Sequence, residues 1–246
     1  MATSISPLGT NPRASARGAR ALRSIFETVD AQSCPGQYNF HMHTVCSDGQ
    51  LAPGELIEQA ISLGLKEFAV TDHHTLKGYY QAKQYMEDWQ WRHPAPIRRD
   101  SAGRVSRGLP RLWTGVEITS KLAGTEVHIL GYAFKPSHGA IQPYLQGSSL
   151  LGDRRLAENV IQAIQSAGGI AVLAHPGRYR RPPEELVPEA AKRGIDGMET
   201  YYAYSNPAHW QPCPKKTPMM EALAQEFQLL STCGTDTHGK SLTRRV

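Results

Sequence analysis

Two apolar spacings alternate along this chain, one of about 3.6 residues and one of two. Leu22, Ile25, Phe26 and Val29 fall at helical spacing and predict a short amphipathic helix over residues 21–31. Pro35-Gly36 then turns the chain into a first strand, the run from Tyr38 that carries His41 and His43. Pro53 suits the first turn of a helix, with Leu56, Ile57, Ala60, Ile61 and Leu63 as its apolar face and Gly64 as its stop. A second strand is predicted over 67–71, a helix over about 76–91, a strand ending at Gly115-Val116-Glu117 and, after a Gly124 turn, a strand over 126–134. Beyond loop-like residues 135–152 come a helix over 153–167, a buried strand over 170–174 and a helix around 184–193. A strand over 196–202, a helix opened by Thr217-Pro218 with Thr217 as its cap, and a last strand over 229–233 complete the pattern.

Strand and helix alternate through about seven strands, which predicts one α/β domain with parallel strands. No internal repeat of fixed period is visible. The 246 residues, 40% hydrophobic and 20% charged, are ample for burying a core. No run of eighteen apolar residues exists, so no transmembrane helix is expected. The net charge of +5 is mostly local: Arg13, Arg17, Arg20 and Arg23 lie within residues 1–24 without an acid, so the remainder sits near +1 (+5 less +4). The overall basicity therefore argues little for a polyanionic partner. Residues 1–24 are read as a disordered basic tail, since their Ala, Ser, Arg, Gly and Pro content buries little surface, and residues 25–246 as the folded domain. The same composition also fits an organelle transit peptide. Residues 92–111, with six arginines and one acid, read as an inserted surface loop. Four cysteines without CxxC spacing indicate reduced thiols in a cytoplasmic protein, and Cys46 is read as a small buried residue.

Candidate chemistry gathers at the strand ends. His41 and His43 are two apart on a strand, so both rings leave the same face, and Asp48 follows five residues later. Polar, metal-competent residues close the later strands too: His73, Glu117, His128, His175, Asp236 and His238. In barrels of alternating strands and helices the active site lies at that C-terminal rim. Imidazole and carboxylate together suit Zn, Mn or Fe, and a carboxylate can bridge two ions. Nine such groups, six of them His, are hard to gather by accident. The other four histidines, His74, His93, His138 and His209, are assigned no ligation.

The motifs H-x-H followed by S-D-G, then T-D-H, G-V-E, V-H-I-L-G-Y, A-H-P and G-T-D-x-H, resemble the PHP (polymerase and histidinol phosphatase) family over residues 38–240. H-I-L-G-Y and H-P-G-R-Y look most like its stand-alone phosphoesterase branch, which acts on nucleotides and RNA 5′ ends. The resemblance implies a distorted seven-stranded (β/α) barrel with two to three divalent ions (Mn, Zn or Fe, with Mg also accepted) at the C-terminal rim of the strands. Carried over by motif, one ion takes His41, His43, Glu117 and Asp236, and a second shares Glu117 with His128 and His175. A third takes Asp48, His73 and His238. The implied activity is hydrolysis of nucleotide phosphate monoesters or 5′-terminal phosphodiesters by water activated on the ions, with His238 or Asp236 assisting proton transfer. Arg178, after His175-Pro176-Gly177, is the candidate phosphate clamp. The implied partner is a small phosphorylated substrate, a nucleotide or short oligonucleotide, with no membrane and no obligatory protein partner. Histidinol-phosphate phosphatase and a non-catalytic, metal-stabilised binding protein are the alternatives. Two departures stand out: Asn39 and His74 occupy positions where the family often has Asp. The segment between H-I-L-G-Y and A-H-P, about forty residues, is shorter than is usual in the RNA-end branch.

Overall fold

In the computed structural model, which describes residues 12–93, 98–99, 105–106 and 109–246, one sheet curls until its first and last strands meet. Helix α1 (Pro12–Phe26) precedes β1 (Tyr38–Asn39), α2 (Pro53–Ser62), β2 (Glu67–Val70) and α3 (Lys77–Arg92). A small hairpin, β3 (Arg98–Arg99) with β4 (Val105–Ser106), leads to β5 (Arg111–Leu122) and β6 (Thr125–Tyr132). Then follow α4 (Ala157–Ser166), β7 (Ile170–Leu173), α5 (Pro183–Lys192), β8 (Gly197–Tyr201), α6 (Thr217–Glu226) and β9 (Leu230–Cys233). The sheet order is β1-β2-β5-β6-β7-β8-β9. Backbone bonds from Phe40 N to Cys233 O (3.0 Å), Asp236 N to His41 O (2.8 Å) and His43 N to Thr237 O (3.1 Å) draw the two edges together into a nearly closed barrel. The expected seven-stranded barrel of α/β class is therefore present.

The sheet is mixed rather than parallel throughout. β6 pairs antiparallel with both β5 and β7, and every other neighbouring pair of the barrel is parallel. The cause is local. Leu122 pairs with Thr125, leaving Ala123 and Gly124 as a two-residue turn with φ of +48° and +81°. Two residues with positive φ form the hairpin turn whose twist matches the strands on either side, so β5 must fold back on itself.

Disorder was expected up to residue 24, but residues 12–24 belong to α1. Ala19, Leu22 and Phe26 form one buried face on that helix, and Phe26 meets Phe40 and Tyr132 edge-on at 5.0 and 5.6 Å. The apolar periodicity counted from Leu22 simply extends one turn further back, and that face stabilises the helix by burial. The part of the expected tail at residues 1–11 lies outside the described residues. So does most of the 92–111 loop, of which the described parts are the end of α3, the β3–β4 hairpin and residues 109–111. α4 starts four residues later than expected, after a 3-10 turn at Gly152–Arg155, and Thr217 begins α6 as a helical residue without a capping bond. Among the described residues no helix is long and apolar enough to cross a membrane.

Candidate metal centre

The barrel mouth collects the candidate ligands into one cluster, buried at His41, His43, Glu117, His175 and Asp236 and opening to solvent at Asp48. Met42, between the two histidines, turns outward into the core under α2, whereas His41 and His43 both face the barrel axis, as the two-residue period requires. Asp72 fixes the loop that follows. Its carboxylate accepts from Thr44 N (2.7 Å), Thr44 Oγ1 (2.7 Å) and Ser47 Oγ (2.8 Å), which carries Asp48 back over the mouth. Asp48 then reaches His238 Nε2 at 3.1 Å, His43 Nδ1 at 3.5 Å and His73 Nε2 at 3.6 Å.

β6 explains how His128 joins. It lies in the first half of its strand rather than at the C-terminal end, opposite Thr119, and reaches the rim because β6 runs against its neighbours. Glu117 likewise sits mid-strand, since β5 continues past the rim into the hairpin. His175 and Asp236 hold φ of +27° and +52°. Both are costly for a residue with a Cβ, and such conformations cluster at functional sites.

The two central carboxylates divide their oxygens. Glu117, 1% exposed, aims Oε2 at His43 Nε2 (3.0 Å) and His41 Nε2 (3.1 Å), and Oε1 at His128 Nδ1 (2.8 Å) and His175 Nε2 (3.3 Å). Asp236 aims Oδ1 at His41 and His43, both at 3.4 Å. Its Oδ2 accepts from Tyr202 Oη (2.6 Å), Arg178 Nη1 (2.7 Å) and Arg245 Nε (2.8 Å). Three overlapping ligand groups result: His41/His43/Glu117/Asp236, His43/Asp48/His73/His238, and His73/Glu117/His128. The first and second contain the expected sets, and the third adds His73 to the Glu117–His128 pair, with His175 on the same Glu117 oxygen.

This donor set fits divalent ions. Around the first group each histidine Nε2 lies 3.0–3.4 Å from Glu117 Oε2 and Asp236 Oδ1, and the His41 and His43 Nε2 atoms are 3.1 Å apart. Ligands about 2.0–2.1 Å from a tetrahedral ion stand about 3.3–3.4 Å apart. Two imidazole nitrogens facing each other have little else to share. The buried Glu117 Oε1, His128 Nδ1 and His175 Nδ1 make no hydrogen bond of acceptable geometry. Burial opposes the charged forms of His41 and His43, yet the surrounding carboxylates win. The His41 pKa stands well above the ordinary imidazole value and that of His43 is raised to about 9. Burial dominates at His73 and lowers it to about 4, leaving a neutral ring. Burial also opposes charge on Glu117 and Asp236, but the histidines hold both pKa values well below the carboxylate range.

Several partners were not anticipated. Glu199 of β8, 1% exposed, holds His41 Nδ1 at 3.1 and 3.2 Å and accepts the backbone N–H of His175 at 2.9 Å. Its only sequence signal was a carboxylate inside an otherwise apolar and aromatic strand. Tyr202 and Arg245 had none. Arg178 lines the metal cavity but spends Nη1 on Asp236 and Tyr202, so it braces a ligand as well as facing the opening. Asn39 is structural: its amide donates to Thr235 Oγ1 (2.8 Å) and accepts from Thr235 N (3.0 Å), tying β1 to the segment after β9. His74 accepts from Thr119 N at 3.1 Å and, like His93, His138 and His209, joins none of the ligand groups. Cys46 is half-buried, with Sγ 3.7 Å from Gln81 Oε1.

Comparison with known proteins agrees with this architecture. The PHP domain model matches residues 39–138. A 5′-3′ exoribonuclease of Haemophilus influenzae is 27% identical over 253 residues, covering 82% of this chain and 90% of that protein. A 3′,5′-nucleoside bisphosphate phosphatase of Chromobacterium violaceum is 28% identical over 130 residues, 53% of this chain and 39% of its own. A solved structure from Bifidobacterium adolescentis superposes with a TM-score of 0.62 at 24% identity, over 84% of this chain and 89% of that one, and shows the same fold. The PHP domain match spans the segment that carries His41, His43, Asp48, His73, Glu117 and His128, so over that part the chain is similar to the PHP domain family.

Proposed function

We propose that this protein is a metal-dependent phosphoesterase that hydrolyses phosphate monoesters or 5′-terminal phosphodiesters of nucleotides. The observation that carries the reading is Glu117, one buried carboxylate whose two oxygens serve two adjoining ligand groups, with the Asp48, His73 and His238 group beside them at the mouth. Adjacent cation sites on a shared carboxylate suit in-line displacement at phosphorus. Two to three ions of the Mn, Zn or Fe type, with Mg also accepted, are assigned to the nine residues named from the sequence. Bound there, they would supply Lewis-acid activation of water and neutralise charge building on the phosphoryl oxygens.

The chain's own residues orient and complete that centre. Glu199 holds the His41 ring, and Tyr202, Arg178 and Arg245 hold the outer oxygen of Asp236 so that the inner one faces the histidines. His238, 17% exposed at its side chain, or Asp236 is assigned assistance in proton transfer, supported by their place together beside Asp48 at the mouth. The rest of the Arg178 guanidinium is offered to a phosphate oxygen. A nucleotide substrate is favoured by the names of the relatives, an exoribonuclease and a nucleoside bisphosphate phosphatase. A reducing cytoplasmic setting belongs to the same reading, supported by four free cysteines.

The test is an assay of manganese-loaded protein on nucleoside 3′,5′-bisphosphate, a 5′-phosphorylated oligonucleotide and histidinol phosphate. Release of phosphate or mononucleotides from the first two, abolished by His41→Ala, is the expected result. Turnover of histidinol phosphate alone would move the assignment to a small-molecule phosphatase. No turnover of any ester would end the phosphoesterase reading.

A further inference from the structure

A second groove opens beside the metal cavity, and the two share Glu126, Arg178 and Tyr179 as a common wall. It measures about 730 Å³, against about 300 Å³ for the metal cavity, and Arg180, Arg181 and Glu185 line it further along. One wall is a continuous segment, a 3-10 turn at Pro176–Arg178, the two arginines and α5 from Pro183, and the other is the β5–β6 hairpin at Gly124–Glu126.

The groove's acids are already engaged. Glu126 is ion-paired with Arg155, and Glu185 lies 3.5 Å from Arg181. Arg180 is exposed and has no side-chain partner among the described residues. The unbalanced charge is therefore positive, and it begins at the wall of the cavity where the phosphoryl group would react. A substrate with one phosphate would leave this groove unused. A strand would not, because its following phosphates continue outward from the reacting end. Guanidinium forks match phosphate oxygens bidentately, and a positive groove that tracks the backbone holds single strands without reading sequence.

Resting on the phosphoesterase reading, the geometry points to this groove as the track for the phosphodiester backbone of a single-stranded oligonucleotide whose 5′ end occupies the metal cavity. Arg180 and Arg181 bind its following phosphates and set a preference for length.

Fluorescence anisotropy of manganese-loaded protein with phosphorothioate-linked, 5′-phosphorylated dinucleotide and octanucleotide tests this directly. The octanucleotide binds about tenfold or more tightly than the dinucleotide. The double variant Arg180→Gln/Arg181→Gln removes most of that difference. It also flattens the slope of log Kd against log salt by about 1.4, two phosphates at about 0.7 each. Glu185→Gln, which releases Arg181, shifts the octanucleotide toward tighter binding. Equal binding of the two lengths, or an equal loss on both in the double variant, overturns the groove assignment even if nucleoside bisphosphate is hydrolysed. Failure to hydrolyse any ester counts against the phosphoesterase reading instead, and the length dependence of binding still decides the groove.

Discussion

Glu199→Gln is the most informative single substitution, because it keeps shape and changes only charge and one donor. The carboxylate is 1% exposed and meets two N–H groups, His41 Nδ1 through both oxygens and His175 N through Oε2. An acceptor at Nδ1 assigns the proton there and leaves the Nε2 lone pair of His41 facing His43, Glu117 and Asp236. A backbone N–H can only donate, so the amide oxygen of Gln must take the Oε2 position against His175. Its NH2 group then faces His41 Nδ1, where it favours the opposite tautomer, with the proton on the nitrogen needed as ligand. The change forfeits one charge-assisted hydrogen bond, worth about 1.5–3 kcal/mol. That corresponds to the roughly 10–100-fold loss in metal affinity typical when an orienting partner of a ligating His is removed. The assay is a competitive titration against a chromophoric chelator, with thermal unfolding in chelator confirming that the variant folds. A folded variant binding manganese within about twofold of the parent would show that Glu199 does not orient His41.

Three further outcomes follow from the same geometry. Asp48→Ala removes one ligand from the His73/His238 group and should lower bound metal by one equivalent while His41 and His43 keep theirs, read by elemental analysis after desalting. Gly234→Ala places a Cβ 2.2 Å from His41 Cβ and 2.9 Å from Glu199 Oε1. Such overpacking costs about 1–3 kcal/mol and should lower the Tm by several degrees in chelator; an unchanged melt would refute the close approach. Because the pKa of His43 is raised to about 9 and that of His41 lies well above the usual value, both are cationic near neutral pH without metal. Ligation needs neutral imidazole, so metal uptake at pH 7 should release protons and affinity should climb as pH rises toward about 9. Calorimetry in buffers of different ionisation enthalpy checks it, and a buffer-independent heat would contradict it.

Much of the centre was legible before any coordinates. A strand's two-residue period sets His41 and His43 on one face, and all nine residues picked from strand ends arrive at one mouth. Yet His128 was right for an incomplete reason. It reaches the rim through the reversal of β6, which follows from the positive φ of Ala123 and Gly124 at the hairpin turn. α1 was truncated in the reading because composition dominated over the short apolar face of Ala19, Leu22 and Phe26.

What the sequence alone determined is that His41 and His43 leave the chain on one side, because side-chain alternation is a property of the local extended backbone. Only the tertiary structure decided what supports those ligands. His41 and Glu199 are 158 positions apart, and Arg178 and Asp236 are 58 apart. Arg245 reaches Asp236 by the fold of the last segment back over the mouth. Such partners carry no spacing or period, since they are set by which strands become neighbours when the barrel closes. Pairing across the barrel is a long-range outcome of burial, and no local pattern encodes it.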